Sequence, residues 1–365
     1  MTPYPARNLL KLTEAQRERL DVLFLAQYAP EPGSPVPEMH PVHGVLPRYN
    51  HELFHTLAGL GLRCTPCRDV EEFVRSASRH NYVFTLLNRA PFRNSEIFIS
   101  AACEWLGVPY LGAPPNVRAL AEDKHLTKLM ARSLGIPTAP WITCLAEGPL
   151  PATPSFPGPW FVKQRFGAAS VDISPDCIQE EEAGLHARLR TFQEEGKACM
   201  VETFIPGVDL TVCVLGGQEP ILLGVAEEIS ALPEGIVTHR QKRLLEGGRE
   251  RLLLPPGPVT DQVQDYTRRL CAAVKEFDYL RVDFRRHRDT GEIFLLEFNI
   301  GCNLGSHAAV MFTARQAGFQ QAEVVEHIVR HSLDRQLRSW TSMAGGSTQQ
   351  PQPPHAQEQW EGGAP

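Results

Sequence analysis

The sequence RVDF at residues 281–284 is followed, after the turn sequence DTG at residues 289–291, by IFLLEFNIGCNLGSH at residues 293–307. Two apolar, β-rich segments on either side of such a turn predict a β-hairpin. Because side chains alternate between the two faces of a strand, the polar residues of these segments can be assigned to faces from the sequence alone.

Three polar side chains interrupt the apolar pattern of this predicted hairpin. Asp283 lies on the first strand, and Glu297 and Asn299 lie two residues apart on the second, so that the latter two share one face. All three offer oxygen ligands, which suit magnesium, an ion that proteins commonly hold through one or two carboxylates together with substrate phosphates. Charge inside an apolar hairpin costs desolvation energy, so the cluster indicates a ligand site.

Length and composition are those of a globular protein with two or three domains. The chain has 365 residues, of which 42% are hydrophobic and 21% charged. The net charge of −6 argues against broad nucleic-acid binding. No apolar run reaches membrane-spanning length, and the N-terminus lacks the pattern of a signal peptide. The nine scattered cysteines favour reduced thiols, so we expect a cytoplasmic protein with neither membrane nor nucleic-acid partners.

The first third of the chain alternates predicted strands and helices. Strands are expected at 21–25 and 82–87, and helices at 51–62 and 95–106. This order predicts an N-terminal α/β domain with a largely parallel sheet over residues 1–115.

The remaining two thirds predict two further subdomains and a tail. The boundaries are 116–205 for a central subdomain, 206–335 for a C-terminal subdomain with the magnesium site, and 336–365 for a disordered tail rich in Gln, Pro and Gly. The expected helices are 116–133, 263–277 and 310–330, and the expected strands before the hairpin are 160–163, 199–204, 210–215 and 221–225.

Lysines near small-residue segments suggest a phosphate site in the central subdomain. Lys163 ends an apolar strand and is followed by a small-residue loop, an arrangement that can lay backbone N–H groups and one cation over phosphates. Lys124 and Lys128 are one helical turn apart and share a face. In isolation, each of these features is also typical of solvated lysines.

The segment 200–209 has the composition of a nucleotide pocket. An apolar strand carries Glu202, and exposed backbone around Phe204 and Ile205 could pair with an adenine edge. Asp209, after a Pro-Gly turn, could accept hydrogen bonds from ribose hydroxyls. The alternative is a β-hairpin with surface acids.

These segments, in this order, resemble the ATP-grasp enzymes and, within them, the D-alanine–D-alanine ligase branch. The resemblance covers nearly all of the chain before the tail and is strongest from Leu120 onward. It rests on EDK at 122–124 with LGIP at 134–137, FVK at 161–163, VE at 201–202 through DLT at 209–211, RVD at 281–283, EFN at 297–299, and SH at 306–307 through ARQAG at 314–318. The implied fold is α/β: an N-terminal parallel-sheet domain and two α+β subdomains that enclose ATP.

The resemblance also implies a role for each matching residue. Lys124 and Lys163 would hold the ATP phosphates, and Arg281 would face the reacting carboxylate. Lys242, from a lid loop, would stabilise the transferring phosphoryl group. The adenine pocket would comprise Glu202, Phe204 and Ile205; Asp209 would bind ribose; Gly167, Ala168, Ala169 and Ser170 would cover the phosphates; and Asp283, Glu297 and Asn299 would hold two magnesium ions, for which manganese could substitute.

The implied chemistry is ATP-dependent formation of an amide or imine-type bond between two small molecules, an acid or carbonyl-bearing substrate and an amino acid, through a phosphorylated intermediate. ATP would convert the carboxylate to an acyl phosphate, which an amine then attacks. Homodimers are common in that family, so a homodimer is a further expectation.

The acceptor side departs from the family pattern. Asn303 replaces a glycine that helps the oxyanion, and Arg243 replaces the tyrosine after the lid lysine. Arg89, Arg93 and Arg243 suggest a substrate with more anionic or hydroxylated groups than alanine, and the expected substrate contacts also include Glu52, Ser306 and His307. We therefore predict a ligase of secondary metabolism, such as the synthesis of mycosporine-like amino acids, with a cell-wall D-alanine–D-alanine ligase as the alternative.

Two competing hypotheses come from other motifs. The sequence HELFH at 51–55 matches the H-E-x-x-H pattern of zinc metalloproteases, although no well-placed third ligand follows it. Glu52, at the start of this helix, could instead contact the ligase substrate.

A kinase or an inactive nucleotide-binding module would keep the nucleotide site without ligation. The lone C-x-x-C pair at 64–67 is typical of structural thiols.

Overall fold

The computed structural model describes residues 8–87, 90, 92, 95–167, 170 and 172–344, with side chains up to residue 337. In this part of the chain the strands form three sheets, and the cleft described below lies between two of them. No helix of this part combines the length and the apolar character that crossing a membrane requires.

The N-terminal sheet is parallel, as predicted. Strand β1 pairs with β2 on one side and β3 on the other. The segment 82–87 is strand only up to Thr85. The helix expected at 51–62 instead runs from Leu46 to Gly59, with Pro47 in its first turn, where a proline is tolerated. The elements are α1 (Glu14–Arg19), β1 (Asp21–Leu25), α2 (Leu46–Gly59), β2 (Arg63–Cys67), α3 (Val70–Ser76), β3 (Tyr82–Thr85) and α4 (Ser95–Leu106).

The second sheet has four strands in the order β4-β7-β5-β6. The single helix expected over 116–133 is wrong: two helices meet at Asp123, whose backbone is extended and whose side chain accepts from the N–H groups of His125 and Leu126. The elements are α5 (Pro115–Glu122), α6 (Lys124–Ser133), β4 (Trp141–Cys144), β5 (Trp160–Gln164), β6 (Ile178–Gln179), α7 (Glu182–Glu194) and β7 (Cys199–Thr203).

The third sheet has five strands in the order β10-β9-β8-β11-β12, and β11 with β12 is the predicted hairpin. One face packs Val282, Phe284, Leu295 and Phe298 against α9, while the opposite face lines the cleft. The elements are β8 (Gly207–Leu215), β9 (Ile221–Ser230), α8 (His239–Lys242), β10 (Arg249–Leu253), α9 (Pro258–Val274), β11 (Tyr279–His287), β12 (Ile293–Ile300), α10 (Ala309–Gln316) and α11 (Gln321–Ala344).

The C-terminal helix differs from the prediction in two ways. The pattern over 310–330 forms two helices, α10 and α11, with Gly318 at a positive φ of 90° between them. Helix α11 continues to Ala344, so residues 336–344 are helical and do not belong to a disordered tail. Buried Gln336 explains part of this extension, because it accepts from the N–H of Tyr110 and donates to its carbonyl (3.1 and 2.7 Å). Residues 345–365 lie outside the described residues.

Candidate active site

A cleft opens between the four-stranded and five-stranded sheets. It encloses about 1130 Å³, including the space open to solvent. Its lining combines apolar side chains at one end with lysines, arginines and carboxylates at the other. Convergent charged groups in a partly apolar cleft are typical of an active site.

The strand register aligns charged side chains across the cleft floor. Arg285 on β11 lies opposite Asp209 on β8, which lies opposite Glu228 on β9, which lies opposite Arg251 on β10. Opposite residues in neighbouring strands project to the same face of a sheet. The alternation of the strands therefore separates this charged face from the apolar core beneath it.

Asp283 and Glu297 lie directly opposite each other in the hairpin. The amide of Asn299 lies between them, with Nδ2 3.1 Å from Asp283 and 3.3 Å from Glu297. Burial alone would raise the pKa of Glu297, but Lys124, Lys242 and other nearby cations hold that pKa at about 2. Both carboxylates are therefore accompanied by cations and line the same part of the cleft.

Arg281 forms a bidentate salt bridge with Asp283, two residues along the same strand. Its Nη2 donates to Asp283 Oδ2 at 2.7 Å and its Nε donates to both carboxylate oxygens, while Thr211 donates to Oδ1 at 2.8 Å. Burial alone would lower the pKa of Arg281, yet the contact with Asp283 raises it. Arg281 is therefore a fixed cation beside the two carboxylates.

Three charged side chains form a buried network under the centre of the cleft. Glu202 contacts Lys128 at 2.8 Å and Lys163 at 2.5 Å. Burial alone would raise the pKa of Glu202, but the two lysines hold it at about 2, whereas burial lowers the pKa of Lys128 to about 8. Lys124, with 8% of its surface exposed, and Lys128, with 0%, are buried, so the solvated-face alternative is wrong for both.

One part of the cleft is lined by aromatic and aliphatic side chains. The rings of Phe161 and Phe204 stack with centroids 6.1 Å apart, and Ile205 lies beside them in the lining. Arg285 lies over Phe204 and donates to the carbonyl of Ile205 (2.5 Å) and to Asp209 (2.6 Å). Arg285 thus fixes the segment on which the predicted adenine and ribose residues lie.

The small-residue loop after β5 and the segment that carries Lys242 both line the cleft. Gly167 and Ser170 line it, and Lys124 Nζ donates to the carbonyl of Gly167. Ala168 and Ala169 lie outside the described residues. Lys242 also lines the cleft, at the end of helix α8, whose N-terminus is capped by Thr238.

Several residues predicted for the acceptor contact one another. Glu52 accepts from the backbone N–H of Ser306 at 3.0 Å, and Asn303 Nδ2 lies 3.2 Å from His307 Nε2. The carbonyl of Arg243 accepts from the N–H of Val45 at 3.2 Å. Arg89 and Arg93, which were expected here, lie outside the described residues.

The H-E-x-x-H segment is built into the ligase-like framework. Glu52 is engaged with Ser306, and His51 Nε2 lies 2.9 Å from the carbonyl of Ser34. Within the described residues there is no group of three or more His, Cys, Asp or Glu side chains that could hold a metal ion. The zinc-protease hypothesis therefore gains no support. Burial raises the pKa of both Cys64 and Cys67 to about 12, as expected of structural thiols.

Sequence reasoning missed Glu228, Arg249 and Arg285. Glu228 and Arg249 line the cleft, and Arg285 lines it beside Asp209. A signal for Arg285 was present, because residues 281, 283 and 285 alternate along one strand and must share a face. Arg249 and Arg251 carry the same alternation on β10, a strand that was not predicted.

Similar proteins point in one direction. A family model described as the D-ala D-ala ligase C-terminus matches residues 130–330. The D-alanine–D-alanine ligase of Nitratidesulfovibrio vulgaris strain DP4 is 32% identical over 238 residues, which cover 64% of this chain and 74% of that protein. The corresponding protein of Gluconobacter oxydans is 27% identical, with 67% and 78% covered.

The fold has a solved counterpart. The crystal structure of the D-alanine–D-alanine ligase of Bacillus anthracis, complexed with ATP, matches with a TM-score of 0.68 at 17% identity. The match covers 88% of this chain and 99% of that one.

Proposed function

Since this chain belongs to the D-alanine–D-alanine ligase family and is an ATP-dependent ligase with the ATP-grasp fold, we propose that it joins two amino acids through an acyl phosphate. The observation that carries this proposal is the pairing of Asp283 with Glu297, next to Arg281, on one wall of the cleft that Lys242 also lines. This set can position phosphates and a carboxylate in one place.

The similar proteins favour the alternative drawn from the sequence over the first prediction. The named relatives are D-alanine–D-alanine ligases, and nothing in the comparisons supports a role in secondary metabolism. D-Alanine is therefore the first substrate to test. A homodimer and a cytoplasmic location stay predictions.

The chemistry follows from the poor leaving group of a carboxylate. An oxygen of the acid forms a bond to the γ-phosphorus of ATP, the bond to the bridging oxygen breaks, and ADP leaves. The amine of the second amino acid then attacks the acyl carbon, and orthophosphate leaves. Phosphoryl transfer depends chiefly on positioning and charge neutralisation, which Lys124, Lys163 and Lys242 would supply.

Arg281 would serve the second step. Asp283 fixes its guanidinium through Nε and Nη2, so the group is oriented before substrate binds. A preorganised donor aimed at the developing oxyanion typically lowers the activation free energy by about 3–4 kcal/mol.

The hairpin carboxylates fit magnesium when phosphates complete the ligand set. Asp283 and Glu297 bring two carboxylates to one point, and two carboxylates with substrate phosphates are a common magnesium environment. Asn299 presents its NH2 group to both carboxylates, so its oxygen would join the ligand set only after the amide turns. When bound, the ion would neutralise charge on the phosphates.

A phosphate-release assay that crosses carboxylic acids with amino acids tests this function. We expect orthophosphate from ATP only when both an acid and an amine are present, with D-alanine tested first in both roles. ADP formed without orthophosphate would instead indicate a kinase, and phosphate released without any amine would indicate simple ATP hydrolysis.

A further inference from the structure

Two arginines on the edge strand β10 share a single carboxylate. Glu228 lies between Arg249 Nε, at 2.7 Å, and Arg251 Nε, at 2.5 Å, and only 4% of its surface is exposed. Burial alone would raise the pKa of Glu228, but the arginines lower it, so the carboxylate is charged. Two guanidinium groups and one carboxylate leave one positive charge without a counter-ion in this group.

The geometry leaves donors of both arginines available. Arg251 Nη1 donates to the carbonyl of His307 at 2.7 Å, and its Nη2 and both outer nitrogens of Arg249 have no protein acceptor within the described residues. Arg249 lines the cleft. Its positive charge helps to lower the pKa of Lys242, and the charge of Arg281 helps to lower the pKa of Arg249, so the three cations lie within one another's fields. The side chains of Arg249 and Arg251 are only 15% and 13% exposed, and guanidinium groups that are largely buried and keep unpaired outer nitrogens are suited to a planar anion.

His307, which lies among these cations, does not add to the charge. Burial, followed by the fields of Arg251, Arg249 and Arg243, lowers the pKa of His307 to about 4, so its ring is neutral at pH 7. Asn303 Oδ1 accepts from the N–H of Gly305 at 2.7 Å, which directs Nδ2 toward His307 Nε2 as a donor. The ring thus accepts at Nε2, and the excess positive charge stays on the arginines.

We infer that this end of the cleft selects an acceptor amino acid with a second anionic group, such as a side-chain carboxylate, held by Arg249 and Arg251. The inference rests on the proposed ligase function and specifies the substrate class of its second step. A neutral side chain such as that of alanine would leave the outer nitrogens facing a partly dehydrated cleft, whereas a carboxylate would pair with them.

Isothermal titration calorimetry tests the inference, and phosphate release is measured in parallel. The full chain, with magnesium and a non-hydrolysable ATP analogue, is titrated with aspartate and with asparagine, in both D and L forms. These two ligands differ in charge but hardly in shape. We expect at least one aspartate enantiomer to bind on the order of 10-fold more tightly than the matching asparagine, the scale of a hydrogen bond to a charged group.

Variants then connect the preference to the residues. Arg249→Gln should reduce the ratio of the two affinities toward one, Arg249→Lys should restore part of it, and Arg268→Gln, on the exposed side of α9, should leave it unchanged. Affinity for the ATP analogue should be the same in all variants that fold.

The outcomes separate this inference from the proposed function. Equal or tighter binding of asparagine, or a ratio unaffected by Arg249→Gln, would overturn the inference even if the enzyme releases phosphate. A loss of affinity for the ATP analogue in Arg249→Gln would also overturn it, because the arginine would then serve the nucleotide. Selective aspartate binding with no phosphate release from any acid and amine would refute the ligase proposal and leave the anion preference standing.

Discussion

The phosphate end of the cleft, around Asp283 and Glu297, is built from adjacent strands of one sheet, whereas the acceptor end, around His307, is assembled from segments far apart in the chain. In the first region, strand register alone places the carboxylates opposite each other. In the second, Glu52 reaches Ser306 across 254 positions of sequence, and the lid backbone at Arg243 contacts Val45. We propose that the reaction type depends on local strand geometry and the choice of acceptor on tertiary contacts.

The largest effect should come from the phosphate end. Glu297→Gln keeps the shape of the side chain but removes its charge, and it should lower kcat on the order of 10²–10³-fold with every acceptor. Glu292→Gln, at an exposed position just before β12, is the matched control and should behave as wild type. Steady-state phosphate release measures both; near-wild-type turnover in Glu297→Gln would refute the role given to the hairpin carboxylates.

The stability of the protein should depend on the buried network of Glu202, Lys128 and Lys163. Lys128→Met removes one cation from buried Glu202 and should cost about 3 kcal/mol in the free energy of unfolding, the low end for breaking a buried pair, because Lys163 still contacts the carboxylate. Urea denaturation measures the loss, with Lys11→Met at an exposed position as control. Equal stability of the two variants would show that the buried network contributes nothing.

A substitution at Gly44 can disrupt the contact between the loop before α2 and the backbone of Arg243, just after α8. Its φ is 53°, and a Cβ there would lie 2.1 Å from the carbonyl oxygen of Arg243. Gly33, with φ of 77° and open space around it, carries the same backbone cost without the clash. Gly44→Ala should therefore reduce kcat/KM for the acceptor roughly 10- to 100-fold, the cost of a misplaced site, and Gly33→Ala should not. Similar values of kcat/KM for the acceptor in the two variants would show that the position of the backbone at Arg243 does not affect acceptor binding.

The smallest effect should be the most selective. Arg243→Ala should raise the KM of the acceptor about 10-fold, the scale of one charged hydrogen bond, and should change the KM of ATP less. Arg240→Ala is the control, since Arg240 lies on α8, the short helix that ends just before Arg243, but is exposed and paired with Glu246. An unchanged acceptor KM would remove Arg243 from the acceptor site.

Sequence patterns predicted the hairpin that carries Asp283 and Glu297, because the information for it is local. The hairpin follows from alternation around a turn, and the same alternation would have revealed Arg285. The helix break at Asp123 was also readable, since an aspartate before a helical run is a strong N-cap.

The rest depended on partners that a sequence does not show. A lysine one turn from another lysine is typical of a solvated surface, and only the fold brings Glu202 to Lys128. The pairing of Glu228 with two arginines likewise depends on the register of β9 and β10. Charge patterns could indicate an anionic substrate, but not which arginines bind it.

The most direct test follows the oxygen atoms of the activated acid. D-Alanine with heavy oxygen in its carboxylate is incubated with the enzyme, ATP, magnesium and the acceptor amino acid that supports phosphate release, and the released orthophosphate is analysed by mass spectrometry. Activation as an acyl phosphate predicts that each orthophosphate carries one heavy oxygen from the acid. Amide formation accompanied by unlabelled orthophosphate would contradict it, because the phosphoryl group would then never have been bonded to the carboxylate.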